Sequence, residues 1–311
     1  MQALFNIINI PLGWLLRNIS ALFGGNFAAA VFVFTLLINI IMIPLSIKSQ
    51  KSSVQQIRIK PKLDELKKKY GDDRTKYSAE MQKLYQEEGV SMSGGCLPML
   101  IRLPIMMSIY YLITKPLTYL MSVSGEAITA ATEAYVKINT NVKAAAVSQL
   151  SLIEAVQSGA IKSPEIAEKL DSISFNLFGI DLTQTPKFSM NIFGEFERIW
   201  LIPIAAFATA MLSSIISMRM QKKINPDAPS MAGMMLSMPL ISLFIGFTVP
   251  GGVGFYWACS GLIGGLIQPI IQTVYGPHHL IAKENAKAII KTHQSESAIV
   301  AKESDDIGTL Q

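Results

Sequence analysis

The chain has 311 residues, half of them apolar, only 16% charged, and a formal net charge of +5. A soluble domain of this length carries about a quarter charged residues, so a wholly water-exposed protein is excluded. Cys96 and Cys259 lie far apart in apolar segments without CxxC or His/Cys neighbours. That argues against a metal site or a disulfide framework and makes them small packing residues.

In chain order, residues 1–25 read as an amphipathic helix resting in the membrane interface, with Ile10, Trp14, Arg17 and Leu22 placed to lie along it. Asn6, Asn9, Pro11 and Asn18 interrupt the apolar run, so a cleavable leader is not expected. The alternative, a further membrane span, would have to bury Arg17. Stretches of about twenty nearly uncharged residues then predict an all-α membrane protein with five transmembrane helices. They cover about 27–47, 96–120, 199–218, 231–249 and 253–274, the last two joined by a tight turn at Pro250-Gly251-Gly252. The divisions are 1–25, 26–121 with the first two spans, 122–195 as a long connection, 196–275 with the last three spans, and a tail at 276–311.

Basic residues orient the spans. The 48–95 connection holds eleven Lys and Arg, the longer 122–195 connection only five, and Arg219, Lys222 and Lys223 follow the third span. Positive residues remain in the cytoplasm, which puts the N-terminus outside and the C-terminus inside. The charge needs no nucleic-acid partner, because no aromatic-interleaved basic surface accompanies it.

Within 48–88, Ile59, Leu63, Leu66 and Tyr70 recur at helical spacing, as do Tyr77, Met81 and Leu84 after Gly71-Asp72-Asp73. Two antiparallel helices would bury these stripes against each other and expose Lys67, Lys68 and Lys69. Those lysines are either a solvated face or a basic arm contacting clients or partners at the membrane surface.

Thr35-Leu-Leu-Ile-Asn39-Ile-Ile-Met-Ile-Pro44-Leu-Ser-Ile-Lys48, and Pro61-Lys62-Leu63 with Lys67-Lys68-Lys69-Tyr70-Gly71, are similar to the end of the first span and to the cytoplasmic hairpin of YidC-type membrane protein insertases. Gly94-Gly95-Cys96-Leu97-Pro98-Met99-Leu100-Ile101 with Pro104-Ile105 resembles the start of their second span. Pro250-Gly251-Gly252-Val253-Gly254-Phe255-Tyr256-Trp257 resembles the start of their last, and Gln268 sits where a glutamine is common. The resemblance covers about 10–121 and 172–275 and is to the short bacterial form, with no soluble domain before the core.

It implies helices around a hydrophilic groove, open to the cytoplasm and to lipid, in a multi-pass protein of the bacterial plasma membrane. Nascent membrane proteins would be the clients. The lipid bilayer, the ribosome and the Sec translocon would be further partners. No cofactor, metal or nucleotide is implied, and no catalytic residue. A groove shortens the distance over which a client's polar groups cross hydrocarbon, and burial of its apolar segment in lipid drives the last step.

The chain departs from the family at one point. The arginine usual on the first span is Asn39 here, while Arg102 stands on the second span where an uncharged polar residue is familiar. An intramembrane arginine costs about 2.5–3.5 kcal/mol on insertion scales and is a functional candidate by default. Either the groove charge has moved to Arg102, or Arg102 snorkels to the cytoplasmic surface. Thr35 and Trp257 join the groove by their places in the family motifs. Otherwise they read as a helix-packing threonine and an interface aromatic.

The alanine-rich stretch 144–156 predicts a helix in an outer insertion of no assigned role. Residues 175–186 resemble the family's interfacial segment before the third span. The tail, with four lysines against five acidic residues, is expected to be disordered beyond about 291 and unsuited to holding ribosomes. The rival class is a small-solute transporter or channel, which calls for internal repeats with discontinuous helices, and none is visible. Enzyme chemistry lacks a cluster of acid, base or nucleophile at one depth.

Overall fold

The computed structural model describes residues 2–91, 97–188, 196–224, 232–276, 286, 289–290, 293 and 296. The side chains of 2–5, 53, 54, 57, 97–99, 102, 221, 223, 224, 232 and 234 are outside that description, as are Cys96 and, apart from 293 and 296, the tail beyond 291 that the sequence reads as disordered. The chain divides into two compact units, Met1–Met42 with Met99–Gln268, and Ile43–Pro98 with Pro269–Gln311.

In the first unit, α1 (Gln2–Leu22) and α2 (Phe27–Ile41) form a helical pair. Gly24 and Gly25 make the turn at φ +62° and +82°, and Asn26 caps α2 by accepting from the Ala29 N–H at 2.9 Å. A side chain at Gly25 would meet the Ser172 carbonyl oxygen at 2.4 Å, so only glycine fits. The sequence reading ran the first span unbroken to 47, but α2 ends at Met42. Pro44 lacks an N–H and its ring crowds the carbonyl four residues back, which ends one helix and suits the start of the next.

The chain returns through α5 (Leu97–Thr114) and the short α6 (Pro116–Tyr119), then α7 (Gly125–Ile138), α8 (Gln149–Gln157) and α9 (Pro164–Asp171). The helix expected over 144–156 is divided: a 3-10 turn holds Ala144–Ala146, and α8 begins afresh where the Ser148 hydroxyl accepts from the Ser151 N–H. A small hairpin, β1 (Asn176–Leu177) and β2 (Ile180–Asp181), precedes α10 (Leu201–Ile224), α11 (Ala232–Gly246) and α12 (Gly251–Val274).

One apolar core joins these elements. Phe27, Phe34, Leu112, Leu117, Leu120, Leu152, Ile153, Ile166 and Leu182 are almost fully buried in it, so the insertion packs on the same core as the apolar helices. Residues 172–184 act as a strap. Ser174 exchanges backbone bonds with Gly25 and Phe27, while Leu182 and Gln184 accept the Gly252 and Gly251 N–H groups, both at 2.8 Å. The strap thus satisfies donors that the first turn of α12 would leave orphaned.

Helices Arg198–Met220 and Gly251–Val274 are long and apolar enough to cross a membrane, and a third span counts if Phe27–Ile41 and Ile43–Ser52, broken at Met42, act as one. Leu103–Thr114 and Met235–Gly246 are shorter apolar helices. Both still present large apolar side chains outward, among them Leu103, Met107, Met238, Ile241 and Phe244. A protein surrounded by water does not sustain so much exposed apolar helix surface, whereas lipid contact requires it. Helices α10 and α12 meet along a seam of small residues, with Gly254, Gly261 and Gly265 set against Ile202, Thr209 and Ser213.

The second unit contains α3 (Ile43–Tyr70) and α4 (Arg74–Glu87), which pack together around the turn at 71–73. Asp73 starts α4 by accepting from the Thr75 and Lys76 N–H groups. Leu63, Leu66 and Tyr70 are half-buried, as are Tyr77, Met81 and Leu84, and Ile59 is fully buried. Glu88 pairs with Lys62 and with Arg58, the latter at 3.4 Å. The bond from Lys62 is the main reason its carboxyl titrates below the ordinary value.

Candidate functional site

The core of the first unit is apolar at one end of its helices. The place where a side chain would leave Gly252 lies 3.0 Å from Ile113 and 3.4 Å from Phe27 and from the Leu182 carbonyl. Phe27, Ile113, Leu182, Leu112 and Val253 are all buried there. This dry contact fixes one common level for the start of α2, the end of α5 and the start of α12.

Depth along each helix follows at 1.5 Å per residue. Trp257 is five residues beyond Gly252 and Ser108 five before Ile113, both about 7–8 Å from the common level. Thr35 is eight residues beyond Phe27, about 12 Å away. Asn39, twelve beyond Phe27, and the Arg102 backbone, eleven before Ile113, share a depth of about 16–18 Å. The polar candidates on α2 and α5 therefore descend from an apolar cap, and Asn39 and Arg102 reach one level.

Their surroundings differ. Thr35 is 1% exposed, and its hydroxyl donates to the Val31 carbonyl at 2.6 Å. Asn39 is 9% exposed and its side-chain N–H donates to the Thr35 carbonyl at 2.8 Å. Each side chain donates one hydrogen bond to the preceding turn of its own helix and keeps an acceptor oxygen to offer. Trp257 is half-buried against the core. The Arg102 side chain lies outside the described residues.

Ser108 was not singled out by the sequence. It is fully buried and its hydroxyl has no partner among the described residues. An unpartnered buried hydroxyl costs about 1–3 kcal/mol unless water serves it, and Asn9 and Ser20 of α1 are in the same state. A serine in an apolar span is too common a packing residue to have signalled this. Lys67, Lys68 and Lys69 belong to the second unit. They are exposed on the last turn of α3, and the Lys69 ammonium stands 5.2 Å from the centre of the Tyr70 ring. Cations at a helix C-terminus are favoured by its dipole, which is a sufficient structural reason for all three.

Apolar helices that turn large apolar side chains outward define a helical membrane protein. The sequence profile of the family described as 60Kd inner membrane protein matches residues 18–277, and the chain belongs to that family. Its relatives include the membrane protein insertase YidC 2 of Listeria innocua, 27% identical over 299 residues, covering 95% of this chain and 79% of the relative. The membrane protein insertase YidC of Nitratidesulfovibrio vulgaris is 26% identical over 264 residues, which is 83% of this chain and 37% of the relative. That of Alkalihalophilus pseudofirmus is 38% identical over 112 residues, 34% of this chain and 44% of the relative.

Proposed function

We propose that the protein is a membrane protein insertase, not an enzyme. A nascent membrane protein's polar stretch enters a groove at Thr35, Asn39, Arg102 and Trp257, with Ser108 as a further lining group. The client's apolar segment then moves sideways into lipid. The observation that carries this reading is the one-sided core: among the described residues, the buried polar side chains of α2 and α5, Thr35, Asn39 and Ser108, all lie below the contact of Phe27, Ile113, Leu182 and Gly252. That contact closes one end to water and ions. The polar groups below it lower the cost of bringing a client's charges partway across about 30 Å of hydrocarbon. No nucleotide is needed, because lipid burial of the client supplies the free energy.

The spans are the five drawn from the sequence, with the N-terminus outside, the C-terminus in the cytoplasm, and the capped end facing out. Two features support that placement. Asn6, Gly13 and Arg17 of α1 all contact residues 119–122, so about 16 Å of α1 crosses a single turn at the end of α6 and suits an interfacial helix. Trp200 with Phe188, Phe196 and Phe247 forms an aromatic group at the same end of α10 and α11, as expected where a span meets the headgroups.

The positive charge supplied elsewhere in the family by the first span comes here from Arg102, which shares the depth of Asn39. The Asn39 oxygen is a suitable acceptor for its guanidinium. The basic end of α3 and the ion-paired hairpin serve as the cytoplasmic arm that meets clients, with the ribosome and the Sec translocon as further partners. Depleting the protein should leave multi-pass clients uninserted and protease-accessible in the cytoplasm, and re-expression should restore them. Normal insertion after depletion would remove this function.

A further inference from the structure

The first unit contains a cavity of about 550 Å³, separate from the polar ladder, between the end of α5, α6, α7 and α8. Its wall is rich in hydroxyl and amide groups, including Thr114, Thr118, Thr132 and Gln149, and among the described residues no lining side chain is acidic. The one charged group among them is Lys115. Its side chain is exposed, and its ammonium sits 5.5 Å from the centre of the Tyr111 ring. An aromatic face steadies a cation without neutralising it, so the charge remains available to an anion. The polar wall is itself ordered, because the Gln149 amide bonds both the Thr118 N–H and its hydroxyl, bridging α8 to α6.

The cavity is continuous with a surface of another kind. Tyr110, on its wall, ends a stripe with Met107, Leu103 and Leu100, which are exposed by 38%, 37%, 43% and 58%. The spacing of three, four and three residues puts them on one face of α5. From Lys115 down to Leu103 the chain runs about 18 Å, roughly the headgroup level plus half the hydrocarbon thickness and so the depth of one leaflet. A soluble anion has no use for such a stripe. An acyl chain does.

We propose that this cavity binds an anionic phospholipid, with the phosphate at Lys115, the headgroup hydroxyls on the polar wall, and one acyl chain along Tyr110, Met107 and Leu103. The site requires that α5 span the bilayer. The orientation proposed above makes it an outer-leaflet site.

The test is native mass spectrometry of the full chain released from vesicles of equal phosphatidylglycerol and phosphatidylcholine. The wild-type protein should retain phosphatidylglycerol in preference to phosphatidylcholine. Lys115→Gln should lower that retention about five-fold, the worth of roughly 1 kcal/mol for one lysine at a lipid surface, while Lys115→Arg should preserve it. Unchanged preference in Lys115→Gln would overturn the proposal, as would equal retention of the two lipids by the wild type. Displacement of the lipid by inorganic phosphate alone would reassign the site to a soluble anion and overturn the lipid. Client insertion is not part of the readout, so a failure here is distinct from a failure of the insertase function.

Discussion

Gly252 offers the sharpest test of the apolar cap. Its N–H donates to Leu182, and a methyl at its α-carbon would stand 3.0 Å from Ile113, 3.4 Å from Phe27 and 3.4 Å from the Leu182 carbonyl. Gly252→Ala needs its neighbours to yield by a few tenths of an ångström, and the alanine's helix preference of about 1 kcal/mol offsets part of that. Gly252→Val adds two more carbons that have no room on any of those sides. Overpacking of this kind costs about 1–3 kcal/mol, placed here where three helices and the strap converge. Thermal unfolding of the purified protein in detergent, followed with limited proteolysis of 172–184, should show Gly252→Ala close to wild type and Gly252→Val with a lower Tm and a cleaved strap. Gly264, with open space around it, is the control, and Gly264→Ala should not lower Tm. A Gly252→Val protein that melts and resists protease like the wild type would refute the cap.

Three further outcomes follow from single contacts. Glu88 has a depressed pKa in the folded chain, so the stability of its link to Lys62 and Arg58 is present above the ordinary value of 4.5 and is lost as pH falls through the lower folded value. Protection of the amides at 58–62 and 84–90, taken relative to intrinsic exchange at the same pH, should therefore fall on acidification below that value, and Glu88→Gln should show the lower protection already at neutral pH. Gly261→Leu would drive a side chain into Thr209 and Ala210, 2.8 and 3.2 Å away, and should separate α10 from α12, read as a lowered Tm of about 1–3 kcal/mol equivalent. Phe178 is 95% exposed at φ +50°, and Phe178→Gly should stabilise the hairpin by about 1 kcal/mol in detergent by removing the left-handed strain.

Local chemistry was legible where one residue type decides the outcome. Asp73 after Gly71-Asp72 marked the α3–α4 turn, and the apolar spacing named the faces that the two helices bury. The break at Met42 was hidden because hydropathy runs on through Pro44, although the missing N–H dictates it. Ser148 divided a stretch whose alanines suggested one helix, since its hydroxyl serves better as a cap than within a turn. The strap was beyond reach for another reason. It consists of backbone bonds between Leu182, Gln184, Ser174 and glycines far away in the chain, and backbone groups carry no sequence signature. In the site, Thr35 and Asn39 were accessible through a motif, whereas the orphaned hydroxyl of Ser108 emerged only from packing.

The relocated charge is tested most directly by client insertion in cells depleted of the natural protein and supplied with Arg102→Gln, Arg102→Lys, or Arg102→Gln combined with Asn39→Arg. Removing one charge-assisted contact, about 1.5–3 kcal/mol, should cut insertion by roughly tenfold or more in Arg102→Gln. Arg102→Lys should retain most activity, and Asn39→Arg should restore it by returning the cation to the first span at the same depth. Full insertion by Arg102→Gln alone would show that Arg102 merely reaches for the surface and that the polar site works without it.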